Sequence, residues 1–496
     1  MSGGGAPRGP RAGLLAFLGI LLIQLAWIVA VPPFQGPDER EHAFKAAAVA
    51  HGDVALHHRP SRWGEFMRVP APLVEAAEPV CVALPHFDDN CFGSGEVGGR
   101  VEIATSASRY NPVFYAVVGT VARGADGVGS LYLMRLAAAV MCAVMLAVAV
   151  AVLGAWARTV WPRVAFLAAV TPSVLFSASI AGPVGIEMAS AALVWSAGLA
   201  LTSARPDVPV RRGALVAMTV ASCVLVTVRT LGPLWFVLIV ITLVVVGGPA
   251  RMKPLLRQRA VATAAGLVAV ATALAVSWSA LARTNAPATG TGGLVLDPSQ
   301  LIGECVVWFL QAVGTFPLRD DPAPLALYAL VFSTWTVLAW ISWRAAALRT
   351  RIAMTGIVVV STVLPLAVTV ATYAHNGFIW QGRYTYPFAM GFLFLAGWAL
   401  DRRKEPAPTG VLAVAGGVFM ACQLMGVLHV YRKELVESPL RDTEAWLRLP
   451  GTGLTVLVVA GSALVVMAMA MSPVRPAVPH LAQDQRFRVR SAHHAA

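Results

Sequence analysis

Asp38, Glu39 and His42 stand within Pro32-Pro33-Phe34-Gln35-Gly36-Pro37-Asp38-Glu39-Arg40-Glu41-His42, directly after the apolar run Leu14 to Val31. That run is interrupted only by Gln24 and is long enough to cross a bilayer, so the acids are expected at a membrane surface. A carboxylate placed there can take a proton from a hydroxyl, and a neighbouring imidazole can orient it or share the proton. Pro37 suits the first helical position, Asp38 and Glu39 suit a first turn where the helix dipole favours negative charge, and Gly52 can end the helix. Asp38 and His42 are four apart and share a face, which makes Asp38 the leading candidate base, with Glu39 second. Glu41 and Lys45 have the same spacing and read as a solvated salt bridge. The plainer reading leaves the acids to stabilise a helix start, at about 0.3–1 kcal/mol each. A single metal ion on Asp38, Glu39 and His42 would also be compatible, although the motif His-Glu-x-x-His is absent.

The elements that must position these residues lie in a membrane. With 57% hydrophobic and 13% charged residues, the chain cannot form a soluble globule with a polar shell. An all-α, polytopic helix bundle is expected, with about twelve spans near 14–31, 130–156, 163–181, 184–203, 213–230, 232–247, 259–282, 324–343, 352–373, 384–400, 409–429 and 453–472. Residues 14–472 then form one transmembrane domain between tails at 1–13 and 473–496, and the polar composition of the second tail predicts disorder. With the first segment read as an uncleaved anchor and the N-terminus in the cytoplasm, Arg8, Arg11, Arg158, Arg163, Arg251, Arg402 and Arg403 fall on the cytoplasmic side. The net charge of +13 therefore reports orientation and gives no reason to expect nucleic acid. Loops 32–109 and 283–322 fall outside, the first with short juxtamembrane helices, and Asn111 to Val121 is apolar but too short to span.

Further candidates cluster at the outer ends of spans. Arg383, within Gln381-Gly382-Arg383-Tyr384-Thr385-Tyr386-Pro387, could grip a phosphate in a bidentate contact or simply snorkel to the headgroups. Arg135, Glu187 and Arg229 are ionisable groups within or at the ends of spans, a costly placement that makes them site candidates, though Glu187 and Arg229 could merely neutralise each other. Arg109 and Tyr110 precede the short apolar piece, and His375 and Asn376 precede Gln381. Cys81 and Cys91 are close together on the oxidising side and read as a disulfide. The alternatives are two free thiols, or a zinc site completed from His86, Asp88 and Asp89.

The Pro-Pro-Phe-Gln-Gly-Pro-Asp-Glu element with His42, Ser108-Arg109-Tyr110-Asn111-Pro112 with Tyr115, and the Gln-Gly-Arg-Tyr element resemble the domain of unknown function 2142 family of bacterial membrane proteins. The sequence departs from that pattern at Ala181-Gly182-Pro183, where Asn-Pro is commoner. In layout the family is similar to GT-C glycosyltransferases, which take a sugar from a polyprenyl-phosphate carrier outside the cytoplasm and hold an essential acid in the first outer loop. The resemblance implies a bacterial inner-membrane enzyme with membrane lipids, a polyprenyl-phosphate-sugar donor and an envelope glycan or glycolipid acceptor as partners. Asp38 would then be the base, and Arg383, Gln381, Tyr384, Arg109, Tyr110, Arg229 and Glu187 would serve the carrier. A divalent metal is compatible with this reading, which requires no cofactor. A secondary transporter or flippase of envelope lipids and a non-catalytic assembly protein are the alternatives. No phosphate-binding loop or Gly-x-Ser-x-Gly elbow supports an ATP-driven pump or a serine lipase.

Overall fold

The computed structural model describes residues 8–54, 60–61, 64–83, 90–203, 212–284, 293–317, 321–378 and 380–471. The first apolar run folds as α1 (Arg8–Ala30), and α2 (Glu39–Ala50) follows after a tight turn. The first loop continues through β1 (Pro60–Ser61), β2 (Gly64–Pro70), α3 (Ala71–Ala83), β3 (Ser94–Val97), β4 (Arg100–Thr105), a single 3₁₀ turn at Ser106–Arg109 and α4 (Pro112–Ala122). Then come α5 (Gly127–Trp156), α6 (Trp161–Ala169), α7 (Pro172–Ser177), α8 (Pro183–Ser203), α9 (Arg212–Val228), α10 (Gly232–Gly247), α11 (Pro249–Leu256) and α12 (Arg259–Leu281). The second loop holds α13 (Pro298–Val313) and the small pair β5 (Thr315–Phe316) and β6 (Asp321–Pro322). The chain closes with α14 (Leu325–Ala345), α15 (Leu348–Asn376), α16 (Gly382–Ala389), α17 (Gly391–Arg403), α18 (Val411–Glu437) and α19 (Gly451–Met471).

Among the described residues eight helices are single, apolar and long enough to span a membrane, and α10 with α11 would make a ninth, bent by 120°. The other expected segments are helical but short or interrupted. Around 163–181 the chain breaks because Thr171, which precedes Pro172, is extended, as a residue before proline prefers. Around 384–400 it breaks at Met390, between α16 and α17. Helix packing in the bundle exploits small residues: a Cβ on Gly19 would lie 2.5 Å from the Gly461 carbonyl, so α1 and α19 approach backbone to backbone.

The 30 residues of α5 extend about 45 Å. Gly13 of α1 sits against Ala151 near the far end of α5, while Arg135 near its start reaches the carbonyls of Ile28 and Val31. The two helices are therefore antiparallel, and the α1–α2 turn lies at the opposite end of the bundle from Arg158. That far end holds Asp401, which accepts from the backbone N–H groups of Arg158 and Thr159, with Arg163, Arg251 and Arg402 around it.

The first loop carries the expected short helices and, in addition, a four-stranded antiparallel sheet in the order β1-β2-β4-β3. Glu65, Met67 and Val69 of β2 point inward at a period of two, with Met67 paired to Ile103. Cys81 and Cys91 are joined by a disulfide. The tails at 1–7 and 472–496, and His86, Asp88 and Asp89, lie outside the described residues.

Candidate active site

The turn from α1 to α2 departs from the expected helix start. Helix α2 begins at Glu39, two residues after Pro37, and Asp38 is its N-cap in the left-handed conformation (φ 58°) with no side-chain capping bond. Phe34 in the same turn is also left-handed (φ 63°), which is costly for a bulky side chain and persists only where neighbours over-determine it.

Glu39 supplies that determination, together with Arg135. Both side chains are fully buried, and Arg135 donates from Nε to Glu39 Oε1 at 2.8 Å and from Nη2 to Oε2 at 2.6 Å. The same guanidinium donates to the carbonyls of Ile28, Val31 and Pro32, so all five of its N–H groups are used. Glu39 also accepts from the backbone N–H groups of Gly36 and Ala181. One buried ion pair thus binds the end of α1, the turn, α2, α5 and the Ala181-Gly182-Pro183 segment. Glu39, the second candidate base by sequence, is occupied as a structural staple.

Asp38 is thereby left facing Arg383 at the start of α16. Arg383 Nη2 donates to Asp38 Oδ2 at 2.8 Å; the carboxylate side chain is 36% exposed and the guanidinium side chain 6%. Helix α16 is seated against α13, where the Gly382 N–H donates to Gln311 Oε1 and a Cβ on Gly382 would meet the Trp308 carbonyl at 1.6 Å. Only glycine permits that approach.

His42 is buried one turn along α2, with its Nδ1 2.9 Å from the Tyr115 hydroxyl and its ring near those of Tyr110 and Tyr115. Burial pushes the imidazole down to about 3, against the opposing pull of Asp38, so it is neutral at physiological pH. Burial raises the Tyr115 hydroxyl, so the phenol keeps its proton beside the neutral imidazole. Arg229 closes the cluster: it pairs with Glu187 at 3.1 Å, lies 4.2 Å over the Tyr384 ring and hydrogen-bonds the Tyr110 hydroxyl. Arg383 lies 5.4 Å from the same Tyr384 ring, so one aromatic ring borders two guanidiniums. The Glu187–Arg229 neutralisation expected from sequence forms, and it forms beside the site.

Arg109 turns instead to Glu65 of β2 at 3.1 Å and to the Arg283 carbonyl. The Glu41–Lys45 pair is replaced: Glu41 binds Arg40 and the Ser106 N–H, while Lys45 is buried, donates to the Ser108 carbonyl and is held down to about 8 by desolvation. A solvated pair was expected because the helix was read as surface-exposed, and α2 is in fact covered by β2, β4 and α4. His375 is exposed at the end of α15. No group of three or more His, Cys, Asp or Glu able to hold a metal forms among the described residues, and with Glu39 committed to Arg135 the set Asp38, Glu39 and His42 does not fit one.

A half-exposed carboxylate, two buried guanidiniums and phenolic hydroxyls at one end of a helix bundle define a polytopic membrane protein with an acid–cation site. The chain belongs to the family described as Predicted membrane protein (DUF2142), whose model matches residues 21–392 and so spans both Asp38 and Arg383. Among solved structures, ArnT from Cupriavidus metallidurans in the apo state aligns with a TM-score of 0.43 at 16% identity, covering 93% of this chain and 77% of that one. The same protein bound to undecaprenyl phosphate aligns with a TM-score of 0.42 at 15% identity, covering 92% and 76%. No curated protein sequence matches.

Proposed function

We propose that this protein is a membrane glycosyltransferase that moves a sugar from a polyprenyl-phosphate carrier to a cell-envelope glycan or glycolipid on the extracytoplasmic face of the bacterial inner membrane. The observation that carries this reading is the contact between Asp38 and Arg383, which joins a proton acceptor to a phosphate-type cation. As the acceptor oxygen bonds to the anomeric carbon, its proton passes to Asp38; the bond from that carbon to the carrier phosphate breaks, and the electron pair leaves on the phosphate. Arg383, with Arg229 beside the same Tyr384 ring, neutralises the departing charge. A phosphate arriving at Arg383 competes with Asp38 for the guanidinium and so frees the base as the donor binds. Displacement of this kind inverts the anomeric centre and needs no covalent intermediate.

On this reading the other end of the bundle is the cytoplasmic face and residues 14–472 are one membrane domain. The gathering of Arg158, Arg163, Arg251 and Arg402 there supports that orientation, since basic residues favour the cytoplasmic side.

The test reconstitutes the purified protein in proteoliposomes with a labelled polyprenyl-phosphate sugar and an envelope glycan or glycolipid acceptor. The proposal expects label in the acceptor and an equal amount of polyprenyl phosphate. Label that crosses the bilayer still attached to its lipid, with no acceptor present, would identify a flippase instead.

A further inference from the structure

A cleft the size of a single water lies beside Arg383, lined by Pro37, Phe176, Ser177, Gln311 and Gln381. Four buried polar atoms in these residues have no hydrogen-bond partner: Nε and Nη1 of Arg383, Oγ of Ser177 and Oε1 of Gln381. Their residues are 5%, 1% and 6% exposed. Unpartnered buried groups are expensive and rare, and the residues that hold these three donors line one cleft, a donor set that suits an oxyanion. Turning the Gln381 amide over replaces its oxygen with an N–H and makes the set wholly donating. The space excludes a sugar ring but admits one phosphoryl oxygen.

Gln311 of α13 lines the cleft and accepts from the Gly382 N–H, so the cleft lies between α7, α13 and the start of α16. We infer that the cleft seats one phosphoryl oxygen of a lipid monophosphate, with Ser177 and Gln311 as further binding residues. The inference rests on the reading above for the identity of the lipid as sugar carrier, but it is tested by binding alone.

The experiment titrates the full-length, detergent-purified protein with geranyl phosphate, geraniol and inorganic phosphate by calorimetry, with melting curves recorded for each variant. Geranyl phosphate should bind, with inorganic phosphate and geraniol each at least about tenfold weaker. Ser177→Ala should weaken geranyl phosphate by about 3- to 30-fold. Gln311→Glu keeps an acceptor for the Gly382 N–H but puts a negative charge in the cleft, and should abolish binding without loss of folding. Wild-type affinity in both Ser177→Ala and Gln311→Glu overturns the cleft assignment even where sugar transfer is intact. Inorganic phosphate binding as tightly as geranyl phosphate overturns the lipid assignment.

Discussion

Arg383 reaches Asp38 at 2.8 Å across 345 residues of sequence, which brings the start of a late helix against the start of the second. The carboxylate is the more exposed partner and the guanidinium is nearly buried, so under the proposed function an incoming phosphate meets a fixed cation and releases the carboxylate as proton acceptor. Both depend on supports that lie further inside.

The first support is the Glu39–Arg135 pair. Removing one partner of a buried ion pair leaves the other uncompensated, at about 3–5 kcal/mol. Arg135→Met should therefore lower the melting temperature and expression sharply, and Glu39→Gln should lower them less, because the amide still accepts from the Ala181 N–H. A Glu39→Gln protein with the wild-type melting curve but no transfer would return Glu39 to the role of catalytic base.

Gly382 is the second support. Alanine there would drive a methyl into the Trp308 carbonyl and part α13 from α16, at about 1–3 kcal/mol. Gly382→Ala should move Arg383 away from Asp38, measured as weaker geranyl phosphate binding together with a lower melting temperature.

His42 sets a pH dependence. Its folded value of about 3 lies below the 6.5 of the free side chain, so below pH 6.5 the unfolded chain takes up a proton that the folded one refuses. Stability is undiminished above about pH 6.5, falls as the pH drops, and the penalty is complete near pH 3. In melting curves between pH 7 and 4, His42→Asn should show a shallower decline than wild type; parallel declines would contradict a buried neutral imidazole.

The disulfide gives a count. Of six cysteines, Cys142, Cys223, Cys305 and Cys422 are free, so alkylation of the denatured, unreduced protein should modify four, and reduction should expose two more. Six reactive thiols before reduction would contradict the bridge.

Much of this was legible in the chain. Apolar run lengths gave the helical segments, because a bilayer demands a minimum span, and the acidic and Gln-Gly-Arg-Tyr elements supplied the two groups that meet. The partnership of Glu39 with Arg135 was not legible, although both were singled out, because no local pattern reveals contacts between residues 96 apart. The sheet escaped notice since β2 and β4 are short and flanked by glycine and proline, so their period of two does not stand out. Ser177 and Gln311 carried no signal: an ordinary hydroxyl and amide become conspicuous only when a fold buries them around an unsatisfied guanidinium.

The most direct measurement is the initial rate of sugar transfer by purified Asp38→Asn protein beside wild type, with melting curves to confirm equal folding. The account predicts a fall of about 100- to 10,000-fold, the usual contribution of a general base, with binding of geranyl phosphate retained. Transfer at the wild-type rate by the folded asparagine variant would contradict it.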